Sequence, residues 1–336
     1  MTAAAETIRR GDVAWRRWLR RHGWTAGVWL LLLVLIGWYA ALIPRFGSFT
    51  IASILKNSLP TVYLALAQAV VVIAGGIDLG AGAMMVLANS VSALLMEGQS
   101  LWATMAIALG VLAGAALLGA LVGWIIVVSR VPDIIVTLAT LFIFSGAALM
   151  ILPSPGGGTS GGFRWIFTGS TSGVGTNFSP SIVALAMPLV ALGVWLRRTR
   201  SGLSLYAVGS DPNAAYLSGV NTRRAKIAAY AVAGGFAALA GLAITAITAT
   251  GDPRFTNAAN GTLNSVAAVV LGGIALTGGV GSVVGAAAAG IVLFVLNPIL
   301  TAMSIDPNTS QVIRGLLIVA VMMAAGLLEV HRRRAE

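Results

Sequence analysis

Two short stretches carry the residue types and spacings that could do chemistry. The first is Val72-Ile-Ala-Gly-Gly-Ile-Asp-Leu-Gly-Ala-Gly82, in which Asp78 stands between two long apolar runs. A carboxylate at membrane depth is costly and points by default to an ion or substrate path. Asp78 also has a local role open to it. An Asp ahead of an apolar run can cap a helix, accepting from amides one turn on, where the helix dipole favours an anion. The two roles are compatible. The second stretch is Asp211-Pro212-Asn213-Ala214-Ala215-Tyr216-Leu217-Ser218-Gly219. Asp211 reads as an N-cap, Pro212 as the first helical residue and Gly219 as the stop. A helix this short is not stable alone in water. It must dock, either on the chain's own helices or on a cytoplasmic partner.

Other chemistry is sparse. Gln68, Asn89, Thr137, Thr140, Asn264 and Asn297 are polar residues inside apolar runs. They could face an aqueous path for a hydroxyl-rich solute, or they could join helices through hydrogen bonds worth about 0.6–2 kcal/mol. The chain has no cysteine, and its two histidines, His22 and His331, sit in polar tails. A disulfide, a thiolate metal site and a His-based catalytic cluster are therefore excluded, so no metal and no enzyme chemistry is expected. Neither Lys56 nor Lys226 ends a G-x-x-x-x-G-K-[ST] loop, so no nucleotide cofactor is expected in this chain.

The elements that position these residues follow from composition. Hydrophobic residues make up 58% of the 336 and charged residues 9%, against roughly a quarter charged in soluble domains. The apolar runs are near 20 residues long, which suits membrane helices rather than barrel strands. The fold class is an all-α integral membrane bundle of about ten spans: 27–43, 57–75, 79–97, 101–128, 134–152, 179–196, 227–249, 263–277, 282–303 and 311–329. Val270-Leu-Gly-Gly-Ile-Ala-Leu-Thr-Gly-Gly-Val-Gly281 echoes the stretch around Asp78. Both predict broken or re-entrant helices, near Gly75-Gly76 and Gly272–Gly281, in the protein interior. Gly110 with Gly114, and Gly119 with Gly123, are spaced for close helix packing.

The net charge of +11 is not a nucleic-acid signature. Most of the 21 basic residues fall in the N-terminal tail, at Arg130, in the segment 197–226 and at Arg332–Arg334. That is the positive-inside pattern of cytoplasmic loops. Ten spans put the tails 1–26 and 331–336 and the loop 197–226 on that side, with a single domain over 27–330. The first run lacks a small-residue cleavage site and reads as an uncleaved span. Trp15, Trp18, Leu19 and His22 share one helical face and suggest an amphipathic helix on the inner surface. The Gly- and Ser-rich loop 153–178 falls outside, with Phe163, Trp165, Ile166 and Phe167 as an aromatic anchor or a docking face.

Four motifs in order carry a resemblance. They are Gly75-Gly-Ile-Asp-Leu79; Val131-Pro132 with Ile135-Val-Thr-Leu138; Ala207-Val-Gly-Ser-Asp-Pro-Asn-Ala-Ala215 with Leu217-Ser-Gly-Val-Asn221; and Ala267-Ala-Val-Val-Leu-Gly-Gly273 with Gly278-Gly279 and Gly281-Ser-Val-Val-Gly285. From about residue 55 to 328 the chain resembles permease subunits of bacterial ABC importers for ribose, xylose, galactofuranose and similar sugars. The resemblance implies a multi-pass inner-membrane protein with both termini cytoplasmic. It implies a second permease copy or paralogue, a cytoplasmic ATPase that holds ATP and Mg, and a periplasmic sugar-binding protein. Asp211–Gly219 would be the helix that meets the ATPase, and Gly75, Gly76, Asp78, Asn89, Thr137, Asn264 and Asn297 would border the path. The family often has an acid where this chain has Thr262-Leu263-Asn264, and Ser where it has Gly80; both departures bear on which sugar is carried. An ion-coupled secondary transporter is the alternative, with Asp78 as its only plausible carboxylate.

Overall fold

A computed structural model of the protein describes residues 23–170 and 180–306, and helical positions at intervals from 308 to 323. The tail 1–22 with its expected amphipathic helix, residues 171–179 of the long loop, and the C-terminal tail lie outside the described residues. The helices are α1 (Gly23–Leu42), α2 (Ser48–Ile73), α3 (Ala81–Met96), α4 (Leu101–Ser129), α5 (Asp133–Ile151), α6 (Gly161–Thr168), α7 (Ser181–Arg198), α8 (Arg200–Ser210), α9 (Pro212–Leu217), α10 (Thr222–Thr248), α11 (Phe255–Leu271) and α12 (Val283–Ala302).

Among the described residues, seven helices are long and apolar enough to cross a bilayer: α1, α2, α4, α5, α7, α10 and α12. The expected count of ten is not confirmed, and the span expected at 311–329 falls largely outside the described residues. At 16 residues, α3 is about 24 Å long, short of a hydrocarbon core of roughly 30 Å. Both α3 and α11 are cut short at one end by a glycine junction. The span expected at 263–277 is displaced to Phe255–Leu271. Its first two turns carry Thr256, Asn257, Asn260 and Thr262, which depress hydropathy where the helix begins, and Gly272-Gly273 ends it early.

The bundle is built around α2, the most enclosed of the spanning helices. α10 packs against α2, α3 and α4, while α11 and α12 lie on other faces of α2. The α4–α10 contact shows how small residues set this packing. A Cβ on Gly119 would overlap the Tyr230 carbonyl, and one on Gly234 would overlap the Ala115 carbonyl. With no side chain between them, the two backbones touch, which is the packing available in lipid. Gly123 continues the contact toward Ile227. Gly110 and Gly114 face nothing within 4 Å, so that pair makes no such contact.

Two local differences from expectation matter below. The aromatic segment of the long loop is a helix, α6, capped by Ser160 accepting from Phe163 N. Phe163 and Phe167 pack inward, and Trp165 alone of the three is exposed. The second difference is α8, a helix in the basic segment that precedes the expected short one. Thr199 caps it, accepting from Gly202 N at 3.0 Å, and Leu205 and Val208 bury its inner face.

Candidate functional site

The two glycine junctions meet. Gly279 N donates to the Ile73 carbonyl at 2.9 Å, joining the end of α2 to the loop between α11 and α12 across most of the chain. Gly209, near the end of α8, closes this contact. A Cβ there would overlap the Ile73 carbonyl and lie 2.6 Å from Gly279 N. Gly278 is equally confined, its Cβ position 2.8 Å from both the Gly75 Cα and the Gly209 carbonyl. Gly75, Gly278 and Gly279 take φ of +75°, +88° and +72°, values that glycine reaches without strain. Three segments thus touch backbone to backbone. Trp24 of α1 supports the second junction, donating from Nε1 to the Leu271 carbonyl at 2.8 Å.

The broken backbone between α2 and α3 needs partners, because unpaired polar groups are costly in a membrane. Gln68, fully buried one to two turns before the break, supplies them. With its amide oriented to match, its nitrogen donates to the Asp78 carbonyl at 2.9 Å and its oxygen accepts from Asp78 N at 3.2 Å. Thr137 of α5 donates to the Ile77 carbonyl at 3.2 Å. Tyr230 of α10 donates to Asp133 Oδ2 at 2.9 Å, and Lys226 Nζ lies 2.8 Å from Asp133 Oδ1. These side chains close around Gly76, whose Cβ position would overlap the Asp133 carboxylate.

Asp78 itself turns toward the start of α3. Its Oδ1 accepts from Gly80 N at 2.8 Å. The capping position proper is Gly80, so Asp78 sits two residues further out than an N-cap while still serving a helix-start amide. Asparagine keeps that acceptor. Asp78→Asn is therefore expected to retain uptake within about threefold, the effect of one modestly weakened hydrogen bond. Near-complete loss at normal membrane abundance, read by immunoblot beside radiolabelled uptake, would favour ion chemistry at Asp78.

Beyond α8 the chain forms the short capped helix. Asp211 Oδ1 accepts from Asn213 N at 2.8 Å and Ala214 N at 3.0 Å, with Pro212 in the first turn. The end is closed by Gly219 N donating to the Tyr216 carbonyl and Val220 N to the Ala215 carbonyl, with Gly219 at φ +82°. Ala215 is buried against the chain, whereas Tyr216 and Leu217 are 70% and 85% exposed. Asn213 and Ser218 are also exposed. The helix rests on the bundle by one side and presents an apolar pair outward.

At the opposite end of α10 lies a cavity of about 380 Å³ between α2, α3, α10 and α11. Its polar wall is Thr61 of α2, Thr248 and Thr250 at the end of α10, Asp252 in the loop that follows, and Asn257, Asn260 and Asn264 of α11. Asn89 sits behind this wall: it donates to Thr245 Oγ1 at 2.9 Å and the Thr250 carbonyl at 3.1 Å, and accepts from Asp252 N at 2.8 Å. The loop is further pinned by reciprocal backbone bonds between Gly156 and Gly251. Arg254 forks onto Asp252, with Nε 2.8 Å from each carboxylate oxygen, and holds that carboxyl below its ordinary range.

The structure therefore separates the residues grouped by sequence. Asn264 lines the cavity. Asn89 braces it without lining it, Thr137 and Asp78 belong to the α2–α3 junction, and Thr140 donates to the Thr137 carbonyl. Asn297 is exposed on α12, away from the cavity. Asn257 and Asn260 were not singled out, although their spacing with Asn264 places all three on one helical face.

A family described as branched-chain amino acid transport system / permease component matches residues 50–322. The chain is 32% identical to the ribose import permease protein of Escherichia coli K12 over 304 residues, covering 88% of this chain and 91% of that protein. It is 30% identical to the galactose/methyl galactoside import permease protein of Haemophilus influenzae over 313 residues, covering 87% and 91%. Identity to an autoinducer 2 import system permease protein of Escherichia coli O9:H4 is 28% over 320 residues, covering 94% and 95%. No solved structure matches the chain. With broken helices joined at one end of the bundle and a polar cavity at the other, the chain belongs to this family of transport permeases.

Proposed function

We propose that the chain is the membrane subunit of an ABC importer that carries a monosaccharide of the ribose or galactose kind. The ribose and galactose import permeases among the relatives support the sugar class, and the contacts around α8 and α9 support the route of coupling. A separate ATPase hydrolyses ATP on the side where α8, α9 and the glycine junctions lie. A secreted binding protein delivers sugar to the side of the cavity. The positive-inside count supports this orientation, with both termini cytoplasmic.

The observation that carries the reading is the chain of contacts from α9 to the junctions. Tyr216 and Leu217 stand outward on a capped helix, and the next helix back wedges Gly209 between the two breaks. Motion of α9 thereby reaches α2, α3, α11 and α12 together. Such a device alternates access by moving rigid bodies, and the sugar needs only weak binding to the permease. Leu217→Glu tests it. Burying an unpaired carboxylate in an apolar contact costs several kcal/mol, so copurification of the ATPase with the tagged chain is expected to fall at least about tenfold. Undiminished copurification with sugar-stimulated ATP hydrolysis would overturn the coupling role of α9.

A further inference from the structure

The cavity wall has a chemistry of its own. Asn257, Asn260 and Asn264 recur at i, i+3 and i+7 on α11, one face of the helix, and all three border the cavity. Thr61 borders it from α2, and Asp252 stands at its mouth. Each carboxamide carries two donors and an acceptor, enough to serve a sugar beside a bond already made, as Asn257 makes to Asp252, and each hydroxyl carries a donor and acceptors. That set matches neighbouring sugar hydroxyls, which both give and take hydrogen bonds. Among the described residues, no lysine or arginine borders the cavity. Asp252 in the wall is ion-paired with Arg254, so the cavity offers an anion no free positive partner, and burying an unpaired anion is costly. Its volume of about 380 Å³ lies in the range that encloses a small molecule.

We infer that this asparagine face is a hydroxyl-reading subsite for a neutral polyol in the permease itself, and that it turns away phosphorylated or acidic sugars. The substrate class rests on the importer reading above. The subsite contributes selection after release from the binding protein, at a point where aldoses that differ in charge are sorted again.

The cysteine-free sequence permits a direct test. Thr248 lines the cavity and is exposed, and it is outside the proposed set. Thr248→Cys in the full chain, in lipid nanodiscs, is labelled with a polar maleimide. D-ribose or D-galactose is expected to slow labelling up to about threefold once present at about twice its dissociation constant. D-ribose 5-phosphate at the same concentration leaves the rate unchanged. Adding Asn260→Ala and Asn264→Ala removes protection without altering the sugar-free rate, which shows that the cavity is intact. Gln99→Cys, exposed and outside the cavity, reports any bulk effect. Absence of protection by both neutral sugars, equal protection by the phosphate, or protection that survives the double substitution would each overturn the subsite. The readout uses no ATPase. A failed coupling test therefore leaves this result standing, and a sugar-blind cavity in a chain that still drives ATP hydrolysis overturns the subsite alone.

Discussion

Gly209→Ala is expected to lower sugar uptake about a hundredfold while leaving the chain in the membrane. The added methyl has nowhere to go. It would overlap the Ile73 carbonyl and press on Gly279 N, the two atoms that form the 2.9 Å bond between the junctions. Overpacking of this kind costs roughly 1–3 kcal/mol, and the broken hydrogen bond adds about 0.5–1.5 kcal/mol. The neighbours on all sides are backbone, so no side chain can swing aside. The cost falls on the state in which α8 is seated, and the transport cycle must pass through it. Membrane abundance by immunoblot and uptake by radiolabelled D-ribose separate folding from cycling. Normal uptake at normal abundance would remove Gly209 from the coupling route. Gly219→Ala provides a contrast: nothing lies within 4 Å of its Cβ position, and only its positive φ is disturbed.

A larger loss of stability is expected from Gln68→Leu. The leucine fills similar space and cannot serve Asp78, so both the amide and the carbonyl of Asp78 lose their side-chain partner. A buried backbone group left unpaired costs about 1–3 kcal/mol, which places the total near 2–6 kcal/mol for the pair. The detergent-solubilised melting temperature is expected to fall by more than about 10 °C. Gln68→Glu should fall between. An ionised carboxylate still accepts from Asp78 N but no longer donates to its carbonyl. A melting temperature for Gln68→Leu within a few degrees of the parent would show that water or another group satisfies the break.

Local features were legible in the sequence, and distant meetings were not. Asp211, Pro212 and Gly219 announce α9 because each acts on backbone groups within a few residues. The echo of Gly-Gly-Ile at Gly75 and Gly272 marks two breaks for the same reason. That Ile73 bonds to Gly279, with Gly209 between, depends on three segments far apart in the chain, and no short-range pattern encodes it. The missed helix α8 did carry a signal, Thr199 as cap with Leu205 and Val208 three apart. It was masked by the run of arginines before it. Residue type alone did not place Asn89 or Asn297: one braces a loop and the other is exposed. Asn257 and Asn260 went unnoticed because polar residues pulled the expected span away from the start of α11. The triplet spacing with Asn264 was the recoverable signal.

The backbone contact of α4 with α10 has a mechanical consequence. Gly234, where the two helices touch, divides α10 into arms of about 18 Å and 21 Å. One arm begins just after the exposed apolar pair, and the other ends at the wall of the cavity. The contact runs from Ile227 to Gly234, and a helix rocking about its Gly234 end would behave as a seesaw. Rocking it by about 5° carries each end by about 1.5–2 Å in opposite senses, comparable to the helix shifts that switch packed interfaces. A downward pull at one face of the membrane would thereby become a widening or narrowing at the other, through a single covalent rod.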